Sequence, residues 1–185
     1  MSKYIILDRD GVINFDSDDY IKSPAEWLPI PGSLEAIVKL KQVGYQIAVA
    51  TNQSGIARKL YDEATLMQIH QKMQQMLADL GAQIDVIFYC PHKTADHCAC
   101  RKPKPGMLYQ AAKHFNIDLT GILYIGDKKV DVDAANAAGC QPILVKTGYG
   151  QQTLLMHPHL NVPVYNNLAE AVDSILQGSL RNESQ

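Results

Sequence analysis

Asp8-Arg9-Asp10-Gly11 closes a short apolar run, Tyr4 to Leu7. Residues two apart in extended backbone face the same side, so Asp8 and Asp10 meet at one point while Arg9 points away. Paired carboxylates can handle protons or hold a hard cation. A lone Asp-x-Asp-Gly can equally be an acidic turn. An EF-hand is excluded, because Ile13 stands where the loop needs glycine and a strand precedes the motif. Further on, Thr51-Asn52-Gln53-Ser54-Gly55 supplies a hydroxyl, amides and a glycine at which backbone N–H groups could face an anion. Arg101-Lys102-Pro103 is a basic pair, and Gly126-Asp127 is followed by Asp131 four residues on. Each of these alone is an ordinary loop, but they fall in order at successive strand ends.

A second kind of chemistry lies in Cys90-Pro91-His92 and Cys98-Ala99-Cys100. Three thiolates and one imidazole suit a tetrahedral Zn²⁺ site. With Cys90, His92, Cys98 and Cys100 all supplied by protein, such a site is closed, so its role is structural. His97 competes with His92 as the nitrogen ligand, and its place beside Cys98 makes it the poorer choice. Cys140 stands apart, and the clustering of the other cysteines fits a metal better than a disulfide framework.

The elements that must carry these residues are legible in the hydrophobic period. Short apolar runs alternate with helical segments, the pattern of a doubly wound, mostly parallel α/β sheet. Tyr4 to Leu7 is a first strand. Ser33 is expected to cap a helix with Leu34, Ile37 and Val38 on its apolar face, stopped by Gly44 before a strand from Tyr45 to Ala50. Asp62 is expected to cap a longer helix bearing Leu66, Ile69, Met73, Met76, Leu77 and Leu80. A strand from Ile84 to Tyr89, a helix from Gly106 to Phe115, a strand from Ile122 to Ile125, a helix from Asp131 to Ala138 and a strand from Ile143 to Val145 follow. Leu168, Ala171, Val172, Ile175 and Leu176 mark a last helix. The catalytic candidates then sit just past strand ends, at the carboxyl edge where open α/β sheets bind ligands.

With 185 residues, 46% of them hydrophobic, the chain is expected to form one domain over residues 1–185, with the zinc loop at 90–100 and a polar tail from about 177. The formal net charge of −2 offers no basic excess for a nucleic acid or an anionic membrane. The first apolar run is too short for a signal peptide or a membrane span, so a cytoplasmic location is expected. A monomer is expected.

Taken together, Asp8-x-Asp10-Gly11, Thr51, Lys102 and Gly126-Asp127-x-x-x-Asp131 resemble the four motifs of the haloacid dehalogenase-like phosphatase superfamily, over a stretch from Tyr4 to about Val145. The resemblance implies an aspartyl-phosphate mechanism. Asp8 would be the nucleophile. Asp10 would serve as general acid and then base. Thr51 and Lys102 would hold the phosphoryl oxygens. Asp8 and Asp127 would repel a phosphate dianion unless a cation intervened, so Mg²⁺ is implied, held by Asp8, Asp127 and the main-chain carbonyl of Asp10. Asp131 would orient its neighbours and Lys128 temper the acidic cluster.

A helix and a strand occupy the chain between Asp8 and Thr51, and a helix, a strand and the zinc loop occupy it between Thr51 and Lys102. No large cap domain fits, so the site should be open. Within the superfamily, the runs Asp8 to Asn14, Thr51 to Arg58 and Cys100 to Leu108, with the zinc loop, are similar to the branch acting on a heptose bisphosphate. That likeness implies a small phosphorylated sugar as substrate and a place in nucleotide-activated heptose and lipopolysaccharide core synthesis. Asn52, Gln53 and Ser54 would touch the substrate, Asp16 to Tyr20 would shape the sugar pocket, and Arg101 could grip a second phosphate by paired hydrogen bonds. Histidinol-phosphate phosphatases share the zinc loop but are associated with an acidic residue where Ser54 stands. A polynucleotide 3′-phosphatase and an inactive zinc-bearing binding module are further alternatives. The charge balance disfavours the first, and the joint presence of Asp8, Asp10, Lys102 and Asp127 the second.

Overall fold

The computed structural model describes residues 3–182 of the chain. A six-stranded, all-parallel sheet runs in the order β3-β2-β1-β4-β5-β6. The first half alternates β1 (Lys3–Leu7), α1 (Ser33–Gln42), β2 (Tyr45–Asn52), α2 (Glu63–Asp79) and β3 (Val86–Cys90). After a single 3₁₀ turn (Thr94–Asp96), the second half runs α3 (Gly106–Phe115), β4 (Leu123–Gly126), α4 (Lys129–Ala138), β5 (Gln141–Val145), α5 (Gly150–Met156), β6 (Val164–Tyr165) and α6 (Leu168–Asn182).

The strands are apolar on both faces because both faces are covered. Ile5 and Leu7 of β1, with Ile47 and Val49 of β2, face a cluster that includes Leu34 and Ile37 of α1, Ile69 and Met73 of α2 and Leu168 and Val172 of α6. The intervening Ile6, Ala48 and Ala50 face Met107, Leu108 and Ala111 of α3 and Ala134 and Ala135 of α4. The period-2 alternation of strand side chains thus sorts neighbouring residues into different layers. Strand order reverses between β1 and β4, whose carboxyl ends diverge into a crevice.

Several boundaries differ from the sequence expectation. Ser33 is the first residue of α1 rather than its cap: Gly32 takes the cap position at φ 84°, and the Ser33 hydroxyl donates to the Ile13 carbonyl at 2.6 Å. Asp62 does cap α2, accepting from the Thr65 N–H at 2.8 Å. Leu80 lies just past α2 and is 46% exposed, so the apolar stripe ends at Leu77. β2 extends through Asn52, because pairing with β3 continues to the Asn52–Cys90 step. β3 correspondingly starts at Val86. Short α5 and β6 carry too few residues to display a period and were not expected. α6 continues to Asn182, beyond the point where a polar tail was expected, since no proline interrupts its ladder.

The loop between β1 and α1 is anchored into the core by Ile13, Ile21, Trp27 and Ile30. Lys72 of α2 ties it down further, donating to the carbonyls of Pro24 and Trp27 at 2.7 and 2.8 Å. No described helix is long and apolar enough to cross a membrane.

Candidate active site

Asp8 follows the last residue of β1 and Asp127 the last of β4, and the Asp8 N–H donates to Ile125 at 2.9 Å across the reversal point. A cavity of about 610 Å³ opens over these strand ends. It gathers Asp8, Asp10, Thr51, Asn52, Gln53, Ser54, Arg101 and Lys102, together with Asp16 and Tyr20 from the first loop, so the expected residues converge on one place. Asp127 lies beneath it, fully buried.

Lys102 is the centre of charge. Its ammonium, 2% exposed, lies 2.9 Å from Asp8 Oδ1 and 2.7 Å from Asp131 Oδ1, and donates to the Ala50 carbonyl and the Tyr124 hydroxyl, each at 2.9 Å. Burial pulls its pKa down, but Asp131 and Asp8 outweigh that and raise it, so the lysine stays charged. Asp131 takes the Tyr124 hydroxyl on Oδ1 at 3.1 Å and the backbone N–H groups of Asp127 and Lys128 on Oδ2 at 3.2 and 2.9 Å. Its carboxylate thus bonds Lys102, Tyr124 and the start of α4.

Asp8 is pushed up to about 7, chiefly by burial, with Asp131 and Asp10 adding to the rise and Lys102 opposing it. Asp127 is raised well above the carboxylate range, again by burial first and by Asp131 and Asp8 next. Asp10 goes the other way. Burial acts upward on it, but Arg9 and hydrogen bonds from Asn14, Arg9 and Gln53 hold it below the usual range.

Arg9 does not point away from the carboxylates as expected: it is fully buried and folds back onto Asp10, donating from Nε at 3.0 Å and from Nη2 at 2.8 Å to Oδ1. Its Nη1 meets Nε2 of His70, a residue of α2, at 3.2 Å. Gln53, expected at the substrate, uses its amide internally: Nε2 donates to Asp10 Oδ2 and Thr51 Oγ1 at 2.8 Å, and Oε1 accepts from Tyr61 at 2.6 Å. Asn52 likewise bonds the backbone of Lys102. Asp16 forms a 2.6 Å ion pair with Lys128, and Asp18 accepts from the Tyr149 hydroxyl, so the first loop is latched across the mouth of the cavity. Arg101 also lines the cavity, and its Nη1 donates to the His92 carbonyl at 3.1 Å.

The residues fit a divalent cation. Oxygens of Asp8, Asp127 and Asp131 lie within 4.8 Å of one another. Asp127 Oδ2 accepts from the Tyr149 N–H at 2.8 Å, while Oδ1 is buried with no hydrogen-bond partner. A buried, unpaired carboxylate oxygen among other carboxylates calls for a cation. Gly11, at φ 82°, completes the cradle, because a Cβ there would lie 2.2 Å from Asp127 Oδ2.

The zinc loop fits its metal by a different test. Cys90, His92, Cys98 and Cys100 present ligand atoms within 4.8 Å of one another. Cys90 Sγ is 3.1 Å from Cys100 Sγ and 3.6 Å from Cys98 Sγ and His92 Nδ1, and His92 Nδ1 is 3.4 Å from Cys100 Sγ. A tetrahedral Zn²⁺ with bonds of about 2.3 Å to sulfur has ligand-to-ligand edges of roughly 3.7 Å, close to these. His92, not His97, faces the thiols; His97 lines the cavity instead.

Arg9, His70, Tyr61, Tyr124 and Thr153 belong to this site and were not expected there. Thr153 of α5 donates to the Asp127 carbonyl at 2.9 Å. Tyr124 reads as one more apolar strand residue, and His70 as a helix-face residue. Only the packing of distant elements brings their polar atoms to the crevice.

Comparison with known proteins agrees with this geometry. The HAD-hydrolase-like family model matches residues 99–171. The chain is 51% identical to a D-glycero-beta-D-manno-heptose-1,7-bisphosphate 7-phosphatase of Pseudomonas aeruginosa, over 94% of this chain and 97% of that one. It is 45% identical to the protein of the same description from Neisseria meningitidis, over 95% of each chain. The crystal structure of the D,D-heptose 1,7-bisphosphate phosphatase from Bordetella bronchiseptica, complexed with magnesium and phosphate, superposes with a TM-score of 0.93 at 49% identity, covering 95% of this chain and 99% of that one.

Proposed function

This chain belongs to the D-glycero-beta-D-manno-heptose-1,7-bisphosphate 7-phosphatase family of HAD-like hydrolases, and from that premise we propose that it removes the C7 phosphate of the heptose bisphosphate through an aspartyl phosphate on Asp8. The observation that carries this reading is the ammonium of Lys102 lying between Asp8 and Asp131, in a site where a buried Asp127 oxygen has no hydrogen-bond partner.

An Asp8 oxygen attacks phosphorus as the bond from phosphorus to the C7 oxygen breaks, and Asp10 gives that oxygen a proton. In the second step Asp10 takes a proton from water as the water oxygen attacks the acyl phosphate, releasing inorganic phosphate and Asp8. Asp10 is ionised in the free protein, so it is ready for the basic step. For the acidic one it takes up its proton as the dianionic ester arrives and raises its pKa. Lys102 and Thr51 face the equatorial oxygens, where charge shifts during transfer. Mg²⁺, held by Asp8, Asp127 and the Asp10 carbonyl, supplies the positive charge that lets phosphate approach the carboxylates. Ser54 and the Asp16–Tyr20 segment contact the sugar, and Arg101, Asn52 and Gln53 complete the binding site, the amides chiefly by holding Lys102 and Asp10. Cys90, His92, Cys98 and Cys100 would hold a Zn²⁺ that staples the loop carrying Arg101. We take the chain to act as a monomer in the cytoplasm on a small metabolite; its formal charge of −2 offers no basic excess for a nucleic acid.

The test is phosphate release from heptose 1,7-bisphosphate, histidinol phosphate, fructose 1,6-bisphosphate and a 3′-phosphorylated oligonucleotide with Mg²⁺ present. The heptose ester should have the highest kcat/KM, with loss from C7, and Asp8→Asn should abolish turnover. A higher value for histidinol phosphate would move the chain to that activity.

A further inference from the structure

A guanidinium is buried directly behind the candidate acid. Arg9 is fully buried and its partner Asp10 has a side chain 16% exposed, so the pair has a closed back and a front open to the cavity. Desolvating a guanidinium costs several kcal/mol unless its N–H groups are matched. Packing alone would not need a charge here.

The matching has a direction. Nε and Nη2 of Arg9 and Nδ2 of Asn14 all donate to Asp10 Oδ1, at 3.0, 2.8 and 2.8 Å. Oδ2 takes Gln53 Nε2 at 2.8 Å and a second, longer contact from Arg9 Nη2 at 3.1 Å. Oδ1 thus carries three donors and Oδ2 two, the longer of which is shared with Oδ1, so Oδ2 is the less crowded oxygen and the one better able to carry a proton. On the far edge of the guanidinium, Nη1 points to His70 Nε2 at 3.2 Å. His70 is 5% exposed, and because Arg9 has only donors, His70 Nε2 is the acceptor and the ring is neutral with its proton on Nδ1. Burial first, and Arg9 second, hold its pKa down to about 3.

We propose that Arg9 and His70 are positioning residues: a buried brace from α2 to the catalytic loop that fixes the plane of the Asp10 carboxyl group, so that Oδ2 delivers the proton to the leaving oxygen. The proposal rests on reading Asp10 as the general acid. His70 orients the fork of Arg9, the fork orients Asp10, and Gln53, itself held by Tyr61, closes the other side. A planar fork with a matched far edge cannot rotate about the Asp10 carboxylate as a lysine ammonium could.

A brace for proton delivery makes a prediction that a merely structural role does not. An alkyl alkoxide leaves only with a proton, whereas p-nitrophenolate leaves without one. The experiment compares kcat/KM of the Mg²⁺-loaded full chain on heptose 1,7-bisphosphate and on p-nitrophenyl phosphate, a ratio that isolates the phosphoryl transfer to Asp8. His70→Leu and Arg9→Lys should lose roughly 10- to 100-fold on the sugar ester but under about 3-fold on the aryl ester. His70→Gln, whose amide oxygen returns an acceptor near Nε2, should recover most of the loss. Equal losses on the two esters, or a His70→Gln variant as slow as His70→Leu, would overturn the brace. The wild-type rate on the bisphosphate reports on the phosphatase reading separately, and Arg9→Lys, which keeps the buried charge, tests the brace even if His70→Leu folds poorly.

Discussion

Asn52 holds the backbone of Lys102 from both sides: its Oδ1 accepts from the Lys102 N–H at 3.1 Å and its Nδ2 donates to the Lys102 carbonyl at 3.2 Å. The end of β2 thereby fixes the residue that carries the positive charge of the site, fifty residues later in the chain. Asn52→Ala should lower kcat by about 10-fold or more, because a displaced charge stabilises the transition state poorly. Thermal unfolding should show a stability cost of about 1–3 kcal/mol. An unchanged kcat with only a raised KM would mean that Asn52 acts on the substrate alone.

Gly11 can be tested for the cation cradle. A methyl group there would sit 2.2 Å from Asp127 Oδ2 on a backbone at φ 82°, so Gly11→Ala must displace Asp127 or the turn. Activity should fall by roughly 100-fold, and the Mg²⁺ concentration for half-maximal rate should rise. Normal Mg²⁺ dependence in an active Gly11→Ala protein would place the cation elsewhere.

The raised pKa values of Asp8, about 7, and Asp127 set a pH signature. In metal-free protein the folded state holds protons on these groups that the unfolded chain has lost above about pH 4, so the contribution of Asp8 to stability falls as pH rises from about 4 through 7, and that of Asp127 falls in the same direction. His70, depressed to about 3, acts oppositely: its contribution rises with pH up to its unfolded value near 6.5. Mg²⁺ requires both carboxylates ionised, so the rise in Tm on adding Mg²⁺ should grow from pH 5 to pH 8, while the His70 contribution cancels in the difference. Scanning calorimetry with and without Mg²⁺ measures this. A metal increment independent of pH would count against these carboxylates as the ligands.

The zinc loop and the active site are linked covalently and by hydrogen bonds. Cys100 precedes Arg101, whose side chain donates to the His92 carbonyl, and Lys104 Nζ donates to the carbonyls of His97 and Cys98 at 3.1 and 2.7 Å. Cys98→Ala or Cys100→Ala should remove zinc and lower kcat/KM by on the order of 100-fold, with the sheet still folded and added Mg²⁺ giving no rescue. Metal analysis and far-UV circular dichroism accompany the kinetics. A zinc-free variant with wild-type kcat/KM would make the metal a remote staple.

Local patterns in the sequence marked the parallel α/β class, the placing of Asp8, Asp10, Thr51 and Asp127 at strand ends, the candidacy of Lys102 in the loop after the cysteines, and the Cys90, His92, Cys98 and Cys100 cluster. These follow from local properties: apolar period, the side to which residues two apart point, and ligand spacing. Tertiary structure decided how those groups are held. Arg9 reverses onto Asp10 because Nη1 finds an acceptor on α2, a residue no local pattern marks. Tyr124 reaches Asp131 and Lys102 from a buried strand, and the amides of Asn52 and Gln53 turn inward to Lys102 and Asp10. Local period records which face of an element is buried, but a hydrogen-bond partner is chosen by which distant element packs there, and that is fixed only when the sheet and its helices close on one another.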